Sequence, residues 1–212
     1  PARRPPSLEE DAVLAALTGM GLSAAAGLNA YIPFLVVALL ARFTDLVVLP
    51  AGFEWIESNW AIGIGLVLLT AEVVLDKVPA VDTVNDTIQT FIRPMMGGLI
   101  FAATTAASEL DNSAWMKENP WVSVVLGVVI SGLVHTGKMA ARPVINGVTV
   151  GAGAPVVSTV EDGASIGLSF LAILAPVLAL IALVLLAWLL IWMWLRVRRW
   201  RRSRRDPTYA TP

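Results

Sequence analysis

The sequence predicts an all-α membrane protein of about six transmembrane or re-entrant segments, with a tandem duplicated two-segment core and broken helices. Three observations predict it. Of the 212 residues, 57% are hydrophobic and only 15% charged, with a mean hydropathy of +0.73; soluble domains run nearer half apolar and a quarter charged. The apolar residues are also pooled, because residues 12–41 and 164–195 carry no charge. Either run exceeds the ~20 helical residues that cross ~30 Å of hydrocarbon. Finally, residues 57–103 match residues 118–164 at a constant offset of 61.

The first segment, about 12–41, contains Gly27, Asn29 and Pro33 as candidate kink points. Its apolar run is too long for a cleaved leader, so it is expected to be retained. The second runs from Trp60 to about Asp76, and the third follows Pro94 to about Ala107. The fourth runs from Trp121 to about Lys138. The fifth, about 143–160, is interrupted by Gly147, Gly151, Gly153 and Pro155, and the sixth is 164–195. Segments three and five are the candidates for re-entrant elements. Residues 1–11 form an N-terminal tail, 12–195 the membrane domain, and 196–212 a polybasic tail.

Six crossings put both termini on one side, and the distribution of Lys and Arg says which. With a cytoplasmic C-terminus, the inner segments (1–11, 76–93, 138–142 and 196–212) hold 13 of the 15 Lys and Arg. The outer loops then keep Arg42 and Lys117, along with acidic residues that include Glu161 and Asp162. The expected location is a bacterial inner membrane with both termini cytoplasmic. Trp55, Trp60, Trp115 and Trp121 at outer ends, and Trp188, Trp192, Trp194 and Trp200 toward the inner end, fit interfacial belts.

At the offset of 61, Glu57 meets Glu118, Trp60 meets Trp121, Lys77 meets Lys138, Asn85 meets Asn146 and Pro94 meets Pro155; Val67/Val128, Val73/Val134, Ala80/Ala141 and Ala103/Ala164 complete nine identities. Each copy reads as a helix ending in Lys, a break with an Asn, a Pro and a short segment. Interrupted apolar segments at matching places in two halves point to a transport site, because free backbone groups in lipid need protein, water or ligand.

The residues of chemical interest cluster at these breaks. Glu72 and Asp76 share a helix face, and His135, Lys138 and Arg142 form a second stripe at spacing 0, 3 and 7. Asp82, Asp86, Gln89 and Arg93 line one side of an amphipathic helix over 80–93. Ionisable groups at membrane depth pair with one another or face a wet cavity. The expected site has Lys77, Lys138 and Arg142 receiving an anion, with Asn85 and Asn146 at the breaks. Glu72, Asp76, Asp82 and His135 balance charge or carry protons. The competing reading has the same charges marking helix ends and snorkelling to the interface.

There is no cysteine and a single histidine, which argues against disulfides and the usual zinc sites. No phosphate-loop, nucleophile-elbow or metalloprotease motif occurs, so no catalytic residue, metal or cofactor is expected. Seven arginines crowd residues 196–205. After an apolar helix such a run fixes topology and attracts anionic lipid, with Arg198, Arg199, Arg201 and Arg202 as anchors; nucleic acid is not expected as a partner. Gly19, Gly21 and Gly27 suggest close helix packing.

Together, "SAAAGLNAYIPFLVVALLAR", "EVVLDKVPAVDTVNDTIQTFIRPMMGGL" and "HTGKMAARPVINGVTVGAGAPVVSTVEDG" resemble a family of small bacterial integral membrane proteins, the domain-of-unknown-function family numbered 4126. The likeness covers about residues 12–185 and is most specific at Asp76–Asp82. It implies membrane topology and carries no activity. The functional expectation is a transporter or flippase for an anionic small molecule or lipid headgroup. The alternative is a structural or accessory subunit, as a homo-oligomer or within a larger membrane complex.

Overall fold

The computed structural model describes residues 8–76, 79–105, 119, 121–149 and 153–203. Among them are seven α-helices and no strand: α1 (Leu8–Leu28), α2 (Tyr31–Phe43), α3 (Asn59–Leu75), α4 (Pro79–Thr105), α5 (Trp121–Thr149), α6 (Ala154–Leu174) and α7 (Pro176–Ser203), with a 3-10 turn at Glu54–Glu57.

The single first segment expected over 12–41 is two helices. The chain breaks at Asn29, whose Oδ1 accepts from Tyr31 N at 3.0 Å and Ile32 N at 3.2 Å. A side-chain acceptor there serves the donors that the first turn of α2 leaves unpaired. Pro33 falls within that first turn, where its missing N–H costs nothing. Beyond α2, Leu46, Val47 and Val48 line a cavity with Ala15 and Thr18 of α1, Thr104 and Ile173. The chain has thus come back beside the first half of α1. α1 and α2 form a bent pair with Asn29 at its tip, and both outer ends lie at the same end of the bundle.

Gly52, at φ +93°, supplies the left-handed turn that leads into α3. Ser58 caps α3 by accepting from Ala61 N at 3.3 Å. α3 runs antiparallel to α2, with Arg42 Nη1 donating to Glu57 O at 2.7 Å and Gly65 packed under Phe34 and Leu35.

α4 corrects a second expectation. The amphipathic stretch 80–93 and the apolar segment after Pro94 are one continuous helix of 27 residues. Pro94 leaves the carbonyl four residues back, Thr90 O, without its helical donor, yet the helix continues through it, and beside it Ser131 Oγ of α5 donates to Arg93 O at 2.8 Å. α5 likewise runs past Lys138 to Thr149. The expected fifth segment is therefore divided between the end of α5 and the start of α6. The expected sixth is divided at Ala175 and Pro176, where proline starts a new helix. Glu161 and Asp162 lie inside α6, not in an outer loop. Helix boundaries do not recur at the offset of 61: Asp76, which ends α3, corresponds to Gly137 inside α5, and Pro94 inside α4 corresponds to Pro155 in the first turn of α6.

Small residues set the packing. α4 and α5 are antiparallel and cross where Gly97 and Gly98 meet Gly127, Ser131 and Val124. A Cβ on Gly127 would stand 2.7 Å from Phe101 Cβ and closer still to the Gly97 carbonyl. α1 lies against this pair, with Ser23 Oγ donating to Gly97 O at 2.9 Å and Gly27 pressed on Ser131 and Val134. α6 runs antiparallel along α1, tied by Ser165 Oγ to Ala25 O at 3.0 Å. Outside this core the bundle is apolar, with Trp60, Val67, Trp121, Leu133, Val184 and Trp188 all exposed. Trp121–Arg142 and Pro155–Leu174 are long and apolar enough to cross a membrane; Val13–Leu28, Tyr31–Phe43, Asn59–Leu75 and Pro176–Leu189 are shorter apolar helices.

Gly127→Leu is expected to force α4 and α5 apart at a destabilisation of about 1–3 kcal/mol or more. Gly63→Leu, at a site with no atom within 4 Å of an added Cβ, serves as the control. Thermal unfolding in detergent checks the pair: equal midpoints would refute the close crossing.

Candidate functional site

A group of polar and charged residues is gathered inside the bundle. Glu72, Asp76, Asn85, Asp86, Gln89, Arg93, His135, Lys138 and Arg142 are all buried. They come from the end of α3, the first half of α4 and the second half of α5, beside the α1–α2 break. The antiparallel crossing of α4 and α5 creates this level: it aligns Arg93 with His135, Thr90 with His135, and Asp86 with Arg142.

Asp76 is the hub. It ends α3, its backbone N–H bonded to Glu72 O at 2.9 Å. Its Oδ1 accepts from Asn85 Nδ2 at 2.6 Å. Its Oδ2 faces three cations at nearly equal range: Arg142 Nη2 at 3.5 Å, Arg93 Nη2 at 3.6 Å and Lys138 Nζ at 3.6 Å.

Each cation has a second carboxylate closer by. Arg93, fully buried, donates Nη2 to Glu72 Oε1 at 2.7 Å. Arg142 reaches Asp86 Oδ2 at 2.9 Å and Glu161 Oε2 at 3.1 Å. Lys138 pairs with Glu161 Oε2 at 2.9 Å and donates to Leu28 O, the last carbonyl of α1, at 3.2 Å. A lysine at a helix C-terminus meets both the unpaired carbonyl and the negative end of the dipole. Asn29 joins the same level from the break, its Nδ2 donating to Asp162 Oδ1 at 2.9 Å.

His135 links cations to neutral groups. Arginine cannot accept a hydrogen bond, so the 3.3 Å contact makes His135 Nδ1 the acceptor from Arg93 Nη1. The ring proton is then on Nε2, directed to Thr90 Oγ1 at 3.1 Å, and Thr90 Oγ1 donates to Asp86 O at 2.8 Å.

Among the described residues, three cations (Arg93, Lys138, Arg142) thus face four carboxylates (Glu72, Asp76, Asp86, Glu161), a formal balance of −1 for those seven. Hydrogen-bonding capacity is not exhausted. Glu72 Oε2, Asp86 Oδ1, Gln89 Oε1 and Arg93 Nε are buried without a hydrogen-bond partner among the described residues. Both acceptors and a donor are left over, which suits water or a small ligand bearing both. Among the described residues no group of three or more His, Cys, Asp or Glu is placed to hold a metal ion.

Of the residues singled out from sequence, Glu72, Asp76, Asn85, His135, Lys138 and Arg142 converge here. Lys77 lies outside the described residues, as do the side chains of Asp82, Asn146, Arg198, Arg199, Arg201 and Arg202. Sequence reasoning missed the roles of Arg93, Asp86 and Glu161, and the capping by Asn29. Arg93 and Asp86 were visible as polar members of the amphipathic 80–93 face. Glu161 is hidden in the sequence because it falls between the apolar runs 143–160 and 164–195.

Residues 16–196 match the family described as a domain of unknown function, DUF4126. Comparison with curated proteins and with solved structures returns no match.

Removing one partner of a buried pair leaves a stranded charge and typically costs about 3–5 kcal/mol. Arg93→Met is therefore expected to destabilise the protein severely, and Arg93→Met with Glu72→Met to recover much of the loss. Unfolding midpoints of the two variants test this; a double variant no more stable than the single would refute direct pairing.

Proposed function

The chain belongs to the DUF4126 family, and from that premise we propose that it is a small multipass membrane protein that transports an anionic small molecule, or flips an anionic lipid headgroup, through the ionic centre. One observation carries the reading: seven paired charges lie inside a bundle with an apolar exterior, at a level where a helix pair is broken. Charges in lipid face the bundle interior and pair, and an apolar shell of this extent is costly in water. Broken helices that offer backbone ends to a polar centre are the form transport sites take. Lys138 and Arg142 are the anion-binding pair in this reading, because they converge on one Glu161 oxygen beside the less buried edge that Arg142 and Glu161 form, while Arg93 is sealed.

The bent α1–α2 pair refines the topology. It enters and leaves at one face, and α3 to α7 then cross in turn. In this reading the chain has five crossings and a re-entrant pair, against about six transmembrane or re-entrant segments expected from sequence. Taking the polybasic end of α7 as cytoplasmic from the distribution of positive charge then puts the start of α1 at the opposite face, whereas the sequence alone leads to both termini being cytoplasmic.

The absence of cysteine makes labelling direct. With single cysteines, Ser7→Cys is expected to react with an impermeant maleimide from outside and Ser203→Cys only after permeabilisation. Labelling of both from one side refutes the re-entrant pair.

In proteoliposomes, Lys138→Gln and Arg142→Gln are each expected to lower flux of phosphate or scrambling of headgroup-labelled anionic lipid by about tenfold or more, the factor set by ~1.4 kcal/mol. Activity unchanged in both variants, or absent from the wild type, refutes the transport reading.

A further inference from the structure

We propose that the Glu161 carboxylate is a built-in occupant of the anion site, holding between Lys138 and Arg142 the place that a protonated phosphate-class oxyanion takes when Glu161 withdraws. The proposal rests on the reading of Lys138 and Arg142 as an anion-binding pair, and it adds the ligand chemistry and the group that competes with it.

The geometry is that of a bound oxyanion. A single oxygen, Oε2, accepts from Lys138 Nζ at 2.9 Å and from Arg142 Nη2 at 3.1 Å. Of the four carboxylates Glu161 is also the most exposed. Its side chain is 12% exposed, against 9% for Asp86, 2% for Asp76 and 1% for Glu72. The other three come from α3 and α4, beside the cations they hold. Glu161 reaches in from α6, which packs along α1 and α2 and scarcely touches α5. Added side-chain atoms on Gly163 and Gly167 of α6 would meet nothing within 4 Å, so that flank has room to shift.

Charge points the same way. Without Glu161 the described residues of the centre are three cations and three carboxylates. A bound monoanion restores the formal −1 that Glu161 now supplies. No covalent bond is made or broken in the exchange.

The unpartnered buried atoms select the class of anion. Asp86 gives Oδ2 to Arg142, while its Oδ1 has no hydrogen-bond partner among the described residues. An acceptor beside the cation pair suits an oxyanion that carries an O–H: inorganic phosphate in its monoanionic form, or a phosphate monoester such as the headgroup of phosphatidic acid.

The test uses the full chain in neutral detergent, following the thermal unfolding midpoint against inorganic phosphate, with chloride at matched ionic strength as the reference. Dispersed phosphatidic acid forms a second arm, with phosphatidylcholine as its reference. Glu161→Gln is expected to gain several degrees, saturably, in at least one arm, while the wild type gains far less and Glu161→Gln with Lys138→Gln gains nothing. A gain with phosphate assigns a free anion, and a gain with phosphatidic acid alone assigns a lipid headgroup. No gain in either arm, or a gain that survives loss of Lys138, overturns the proposal. Should Glu161→Gln not fold, the wild type answers: phosphate or phosphatidic acid must raise its midpoint above the matched reference, and no rise in either arm overturns the proposal. Failure of flux in proteoliposomes would remove transport and leave this binding result standing.

Discussion

One carboxylate oxygen, Asp76 Oδ2, stands between three cations at 3.5–3.6 Å. Most of the interior is arranged so that this can exist. Three positive charges brought so close repel strongly where water is scarce, and burying any of them alone is prohibitive. Asp76 offsets that repulsion at its centre, and Glu72, Asp86 and Glu161 complete the neutralisation from the periphery. The position of Asp76 at the end of α3 is part of the arrangement. A carboxylate at a helix C-terminus faces an unfavourable dipole, so the three cations and Asn85 are what hold it there.

The centre depends in turn on how closely the helices approach. Gly97, Gly98 and Gly127 bring α4 and α5 nearly backbone to backbone, which sets the register that faces Asp86 to Arg142 and Thr90 to His135. Gly27 and Ser23 seat α1 in the same crossing. α1 then ends at the level of the charges, and its last carbonyl is met by Lys138. Asn29 closes the other side of the break, capping α2 and holding Asp162. One polar level thus neutralises the charges and satisfies the helix ends, and the two tasks share Lys138.

Much of the site was legible in the chain because its members recur at helical spacing on otherwise apolar runs. Glu72 with Asp76, and His135 with Lys138 and Arg142, are stripes of that kind, and the structure brings them together. The misreadings share one cause. Apolar runs mark where the chain is buried or faces lipid, but they do not mark where a helix ends. Pro94 reads as a terminus, yet α4 runs through it and packs against α5 on both sides. Asn29 looked like a kink, yet the chain turns back on itself. Once the run 164–195 was drawn as one segment, Glu161 fell outside the bundle.

The sequence by itself determined an all-helical chain with charges confined to a few levels, because helical periodicity, hydropathy and the polybasic run are local properties. Only the tertiary structure decided which charges meet, where α1 and α2 part, and that Glu161 closes the pair formed by Lys138 and Arg142. Those outcomes follow from the depth at which small residues let two helices cross. That depth is set by contacts between residues far apart in the chain, and no single segment records it.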